Sequence, residues 1–437
     1  MIKSPHKLMD KFERYYKAVD FLERLFNLPL KDDYMTGRNH ADIYIKRMRY
    51  FLNIIGNPDR GLNFIHITGT SGKGTVTNMV HEILFASGKK VGSFTSPHTM
   101  TSIERIKVND KYISPYGFSD IVDYLKPFID KAYAESSYGM PSYFEIFLAI
   151  ALVYFKRRKC EWAVLEAGLG GRYDATNVIE KPIITAITNI DYDHTELLGK
   201  TLKKIAFDKA GIIKSSSVFF TTEQRQPLLK IFNEVCNEKR VSMHRLSHQN
   251  NHKEYNRKLA TAITRQLGIS DKYIAKGIEN SWLMCRFEVV NIKPIIIFDG
   301  AHNRSKIKAT IDDLKKMKYQ KLYLIIGIAD NKDHTSILRQ IVPEADYIFF
   351  TRFQYKLRKC AHPDELYTKS KKYMKKGAKV KIFLDAERAL LQACKKAKQN
   401  DLILATGSFY IAGELRRYWF SEKMILERRK AVTIAKY

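Results

Sequence analysis

The run His66-Ile67-Thr68-Gly69-Thr70-Ser71-Gly72-Lys73-Gly74-Thr75 sets glycines, hydroxyls and a lysine between an apolar stretch and a helix-like segment carrying Met79, Val80, Ile83 and Leu84. That composition suits phosphate. Glycines let the backbone approach oxygen atoms closely, successive N–H groups and a helix N-terminus attract anions, Lys73 adds a point charge, and Thr75 offers a hydroxyl to Mg²⁺. The chemistry points to a nucleoside triphosphate. The standard P-loop has glycine where Ile67 stands and Ser or Thr where Gly74 stands, so this loop departs from the common pattern at both places.

The stretch Glu166-Ala167-Gly168-Leu169-Gly170-Gly171-Arg172-Tyr173-Asp174-Ala175-Thr176-Asn177 begins with a carboxylate at the end of an apolar run. Open α/β sheets bind ligands beyond the carboxyl ends of their strands, which puts Glu166 where it can meet Mg²⁺. Asp191-Tyr192-Asp193-His194-Thr195-Glu196 also follows an apolar run. A single histidine near a strand end is commonly structural, and the carboxylates beside His194 shift the reading towards function. Thr95-Ser96-Pro97-His98, with Glu104-Arg105-Ile106 after it, and Asp299-Gly300 after Ile295 to Phe298 each admit the reading of a simple turn when taken alone.

These residues need a scaffold. Apolar runs at residues 63–68, Trp162 to Leu165, Ile183 to Ile187 and Val218 to Thr221 alternate with helix-like stretches at Tyr143 to Phe155 and Leu202 to Ala210. The pattern predicts a mostly parallel sheet covered by helices, a P-loop-type ATPase domain. A second series has strand candidates at Ile295 to Phe298, Leu322 to Ile326, Tyr347 to Phe350, Lys379 to Phe383 and Leu402 to Ala405. Helix-like segments at Ser305 to Met317, Thr335 to Ile341, Asp364 to Met374 and Ala386 to Ala397 separate them, as expected of a smaller Rossmann-like α/β domain. The join falls between Asn280 and Asn291, giving expected domains of residues 1–284 and 285–437.

With 437 residues, 45% hydrophobic and 28% charged, the chain is too long for one ordinary domain and can bury a substantial core. No apolar run reaches membrane-spanning length, and Met1 to Asp20 lacks the apolar stretch of a signal peptide, so a cytoplasmic protein is expected. Cys160, Cys236, Cys285, Cys360 and Cys394 are scattered and never form a CxxC pair, which indicates neither a disulfide framework nor a zinc site. The formal charge of +29 is spread from Lys3 to Lys436, and its densest clusters (Lys156 to Lys159, Lys371 to Lys376, Arg428 to Lys430) carry no RRM, KH or zinc-finger pattern. Specific nucleic-acid recognition is not expected, and a polyanionic substrate suits the basic surface.

Taken in order, these motifs resemble one family, the folate-linked Mur-type ligases comprising folylpolyglutamate synthase and dihydrofolate synthase. The resemblance rests on Gly69 to Thr75, Thr95 to His98 with Glu104 to Ile106, Glu166 to Asn177, Asp193-His194 with Leu198-Gly199, Ala206 to Lys214, and Asp299-Gly300-Ala301-His302-Asn303. It also accounts for the extra glycine, Gly74, in the loop. The resemblance implies that Lys73 and the amides around Gly69, Thr70, Gly72 and Gly74 hold the phosphates of ATP. Thr75, Ser96 and Glu166 would serve one Mg²⁺, Glu166 and His194 a second, and K⁺ would accompany them. Lys209 matches a lysine that becomes carbamylated, which replaces an ammonium by an anion near the metals. Arg286 resembles an arginine that reaches the phosphates, and Asp299 and His302 resemble nucleotide-contacting or catalytic residues. There are departures: Cys285 stands where the family has glycine, and Leu259 where an adenine-contacting asparagine is common.

The implied reaction transfers the γ-phosphoryl group of ATP to a substrate carboxylate, after which the amine of L-glutamate displaces phosphate from the acyl phosphate. Lys73, Arg286 and the metals would offset charge, His302 and Asp299 are candidate bases, and the two domains would close on ATP. Phe144, Arg172 and Asp174 resemble the pteridine site of bifunctional enzymes, so both dihydropteroate and reduced folates are expected acceptors; Phe144 alone reads equally as a core aromatic. The family implies a monomer acting on small molecules, away from membranes. A cell-wall Mur ligase fits less well, because it would carry Thr or Ser directly after Lys73 and a UDP-binding domain ahead of the loop. A basic nucleic-acid-binding protein with a degenerate ligase core is opposed by intact Glu166, His194, Lys209 and Arg286.

Overall fold

The computed structural model describes residues 11–25, 41–249 and 251–433; Met1 to Asp10 and Lys436, which entered the sequence reading, lie outside them. Eight strands, β1 (Asn63–Thr68), β2 (Val91–Phe94), β3 (Ile106–Val108), β4 (Lys111–Tyr112), β5 (Trp162–Glu166), β6 (Ile184–Ile187), β7 (Val218–Thr221) and β8 (Met243–Arg245), form a sheet in the order β4-β3-β2-β5-β1-β6-β7-β8. Six more, β9 (Glu288–Ile292), β10 (Ile295–Phe298), β11 (Leu322–Ile326), β12 (Tyr347–Phe350), β13 (Lys379–Ile382) and β14 (Leu402–Thr406), form a second sheet in the order β13-β12-β11-β14-β10-β9. Pairing is parallel except at β2–β3, β3–β4 and β9–β10. The chain is thus a mostly parallel α/β protein with two sheets.

The strands expected from apolar runs are present. Central β1 is flanked by β5 and β6, and Phe64 to Ile67 are buried as a continuous run, as expected of a strand covered on both faces. β2 is not expected from the apolar runs, because Gly92 breaks its apolar pattern. A Cβ on Gly92 would run into the Phe155 ring, so the glycine lets the helix Tyr143–Arg157 lie against the strand. The short β3, β4 and β8 are likewise not expected, nor is β9, most of which lies in the segment expected as a join.

Parallel strands send their following loops to one edge. The loops after β1, β2, β5 and β6 therefore gather, and those after β10, β11 and β14 gather in the second unit. The two edges meet: Ser71 Oγ lies 2.9 Å from Ser305 Oγ, and Asn303 Nδ2 donates to Asp193 Oδ2 at 3.0 Å. At the far side the tail after Trp419 returns to the first unit. Tyr112 N donates to the carbonyl of Arg429 at 2.8 Å, and Arg429 Nε donates to the carbonyl of Tyr112 at 2.9 Å. Arg416, fully buried, pairs with Glu288 at 2.8 Å and also donates to the carbonyl of Val432. Among the described residues, no helix is long and apolar enough to cross a membrane.

Candidate active site

The glycine-rich loop leaves β1 and enters the helix Lys73–Ala86. Gly69 (φ +147°) and Gly72 (φ +86°) have left-handed backbone that other residues adopt only under strain, and a Cβ on Gly69 would collide with Thr188 Oγ1. The loop is tied to the end of β6. Thr70 N donates to the carbonyl of Asn189 at 2.9 Å, Ser71 N donates to Asn189 Oδ1 at 2.7 Å, and the Thr70 hydroxyl both accepts from Asp191 N and donates to the Asp191 carbonyl. The unusual Gly74 now has a physical reason, since a Cβ there would stand 3.1 Å from Glu166 Oε2. The extra glycine makes room for that carboxylate.

Glu166, at the end of β5, is buried and accepts a hydrogen bond from Ser96 N at 3.0 Å. Burial raises its pKa, against the opposing pull of Lys73, the Ser96 N–H and Arg286. Lys73 and Lys209 both donate to the carbonyl of Gly69, at 3.0 and 3.1 Å. Lys209 is buried, and its pKa falls to about 7 through burial first and the charge of Lys73 second.

The second unit supplies more cations. Arg286 lies over the Phe409 ring at 4.3 Å, held between Cys285 (φ +53°) and Phe287 (φ +52°). Cys285, one of the departures noted from the resemblance, adopts the left-handed region that favours glycine. His302 Nδ1 donates to the carbonyl of Gly300 at 2.7 Å and its Nε2 accepts from Lys306 Nζ at 3.1 Å. Burial, then Lys306 and Lys332, holds His302 well below the usual imidazole pKa, so it is neutral. Lys306 is itself pushed well down by burial and by Arg286 and Lys73. Lys332, in the loop after β11, donates to Asp193 Oδ1 at 2.7 Å and to His194 Nε2 at 3.2 Å. Burial opposes ionisation of Asp193, but Lys332 and His194 hold its carboxyl well below the ordinary range.

These groups line one cavity of about 670 Å³ that also takes in Phe144, Asp174, Arg105 and the Tyr143, Tyr355 and Tyr410 rings. Phe144 packs on Gly168 and Phe94 while facing the cavity. Asp174 is anchored from behind. Its Oδ2 accepts from Leu169 N at 2.8 Å, its Oδ1 accepts from Thr176 N and from the Thr176 hydroxyl, and that hydroxyl lies 2.7 Å from His66 Nε2. Burial, with Lys214 adding to it, lowers the His66 pKa to about 3, so the ring is neutral and its Nε2–H donates to Thr176.

Not every candidate arrives. Lys73, Gly69, Thr70, Ser96, Glu166, His194, Lys209, Arg286, His302, Phe144 and Asp174 line the cavity, whereas Gly72, Gly74 and Thr75, at the start of the helix Lys73–Ala86, are not among its lining residues. Asp299 does not line it. Its oxygens accept from Phe287 N (2.7 Å), Ala301 N (3.0 Å) and Thr310 Oγ1 (2.8 Å), so the carboxylate braces the loop that carries His302. Arg172 also turns away, with its guanidinium over the Phe207 ring at 4.3 Å. Leu259 is fully buried, and the amide that approaches the loop is that of Asn256, with Oδ1 2.5 Å from where a Gly72 Cβ would sit.

Lys306, Lys332 and Asn256 were missed in the sequence. Lys332 carried a usable signal, because it lies just beyond the carboxyl end of an apolar strand. No group of three or more His, Cys, Asp or Glu with metal-binding arrangement occurs among the described residues. The residues nonetheless fit Mg²⁺, which keeps water and phosphate oxygens as ligands and needs few carboxylates. The space that Gly74 leaves before Glu166 is consistent with that.

Known proteins resemble this chain along most of its length. Residues 67–292 match the Mur ligase middle domain and residues 285–409 the Mur ligase glutamate ligase domain. The dihydrofolate synthase/folylpolyglutamate synthase of Bacillus subtilis is 28% identical over 411 residues, covering 85% of this chain and 94% of the relative. The solved folylpolyglutamate synthase of Thermotoga maritima superimposes with a TM-score of 0.76 at 29% identity, over 93% of this chain and 97% of that one. Escherichia coli FolC in complex with DHPP and ADP gives a TM-score of 0.76 at 25% identity, over 94% of this chain and 98% of that one. The chain belongs to the Mur ligases, in their ADP-forming folylpolyglutamate synthase and dihydrofolate synthase branch.

Proposed function

We propose that this chain joins L-glutamate to a folate-type carboxylate at the expense of ATP, through an acyl phosphate, and that it accepts both dihydropteroate and reduced folates. The observation that carries the reading is the meeting of Lys73, Lys209 and Glu166 with Arg286, His302 and Lys306 in one cavity whose other wall is aromatic. Cations from both units suit a triphosphate, and the Phe144 ring beside the Asp174 carboxylate suits a flat heterocycle with N–H donors.

An acceptor carboxylate oxygen attacks the γ-phosphorus, the bond to the β-phosphate oxygen breaks, and ADP leaves. The glutamate amine then attacks the acyl carbon, loses a proton, and the tetrahedral intermediate expels phosphate. Lys73 and Arg286 offset the charge on the transferring group, and the loop amides fix its position. Mg²⁺ held by Glu166, Ser96, Thr75 and His194 would neutralise phosphate charge. Lys209, with its pKa near 7, is uncharged often enough at neutral pH to add to CO₂, forming an N–C bond and releasing a proton to leave an anionic carbamate. Asn256 is the candidate for the adenine contact that Leu259 does not make. The two units correspond to residues 1–284 and 285–437.

The test supplies ATP, Mg²⁺ and glutamate with either dihydropteroate or tetrahydrofolate. Glutamate-dependent ADP release with both acceptors is expected; release with neither overturns the folate assignment, and release with one alone removes the dual activity.

A further inference from the structure

A second cavity, of about 280 Å³, shares no lining residue with the first and is lined by Arg172, Asn177, Phe207, Lys214, Glu238 and Lys239 among others. Its charges are unbalanced. Arg172 has no ion pair among the described residues, and its Nε is buried without a hydrogen-bond partner. Asn177 Nδ2 donates to the carbonyls of Arg172 and Gly211 at 2.9 and 3.2 Å, which fixes the backbone that carries Arg172. Lys214 Nζ has a long contact of 3.5 Å with the Asn177 carbonyl, and Lys239 reaches Glu238 at 3.4 Å. Burial lowers the Lys214 pKa, and the charges of Lys239 and Arg172 lower it further, with Glu180 opposing.

Gathering like charges in a partly desolvated concavity is unfavourable until an anion enters. We propose that this cavity is a binding site for a compact anionic group, a phosphate or a carboxylate, gripped by Arg172 and Lys214 with Lys239 at its rim. The fork of a guanidinium takes two oxygens of either group. The site backs onto the catalytic one. Arg172 N donates to the carbonyl of Asp208 at 2.8 Å, Gly171 N donates to Asp208 Oδ1 at 2.9 Å, and a Cβ on Gly171 would stand 2.8 Å from Lys209 Cα. An anion on Arg172 therefore braces the turn that links Lys209 to Asp174.

Calorimetric titration of the full chain tests this, with inorganic phosphate and L-glutamate as separate probes, ionic strength held with KCl, and the nucleotide site filled with Mg²⁺ and ADP. The wild type is expected to bind at least one probe with Kd of about 1 mM or tighter. Lys214→Gln should bind that probe about tenfold more weakly, and Lys239→Gln, altered at the rim, should weaken it in the same direction. The probe that loses affinity identifies the source, phosphate or carboxylate. Equal affinity in wild type and both variants, or no binding of either probe by the wild type, overturns the proposal.

Discussion

At the scale of single residues, Lys209 joins structure to chemistry most directly. An ammonium buried beside Lys73 is unfavourable, and its pKa near 7 expresses that cost. Between pH 7 and the ordinary 10.5 the unfolded chain holds this proton and the folded chain does not, so stability rises with pH across that interval, and below it the penalty is fully present. In CO₂-free buffer, melting curves should show wild type gaining stability relative to Lys209→Met as pH rises from 7; parallel curves would contradict the buried, depressed amine. The same variant should lower turnover about 100-fold, the scale of losing one electrostatic contributor to a transition state. Carbamylation itself should appear as a ¹³C carbamate resonance after labelling with ¹³C-bicarbonate, present in wild type and missing in the variant. Asp174 depends on a residue behind it. Thr176→Val removes the hydroxyl between Asp174 and His66, and KM for dihydropteroate should rise several-fold while KM for ATP stays unchanged. Equal changes in both constants would point to general loss of structure.

At the scale of elements, the departures from the ordinary P-loop become a fit between two strands. Register places Ile67 of β1 opposite Glu166 of β5, so the helix that starts at Lys73 must pass the Glu166 carboxylate. Gly74 allows it to do so. Gly74→Ala should lower Mg²⁺-dependent turnover at least tenfold, about 1.4 kcal/mol, with a melting temperature close to wild type; undiminished turnover would show that the glycine is not required there. Much of this level was legible beforehand. The apolar runs that became β1, β5, β6, β10, β11 and β14 are the buried strands whose ends carry the site, and buried parallel strands leave the clearest trace in sequence. What escaped depends on packing. Gly92 in β2 is explained only by Phe155, the bracing role of Asp299 only by the backbone of Phe287 and Ala301, and the turn of Arg172 away from the cavity only by Phe207. Spacing along a chain does not encode which way a side chain turns.

At the scale of the whole molecule, the candidate site lies in a cavity lined by loops of both sheets. Asn303 and Lys332 reach across to Asp193 at 3.0 and 2.7 Å, and on the far side Arg429 bonds the backbone of Tyr112 while Arg416, paired with Glu288 of its own unit, donates to Met100 Sδ at 3.1 Å. Removing one member of such a buried pair leaves an uncompensated charge, so Arg416→Ala should cost about 3–5 kcal/mol of stability, read from denaturant unfolding; a loss below about 1 kcal/mol, the range of surface pairs, would contradict that role. The central claim is that this joined site moves a phosphoryl group onto a carboxylate before glutamate arrives. An acceptor labelled with ¹⁸O in its carboxylate tests it directly. During glutamate-dependent turnover the released phosphate should carry one ¹⁸O atom from the acceptor, whereas amide formation with unlabelled phosphate would contradict the account.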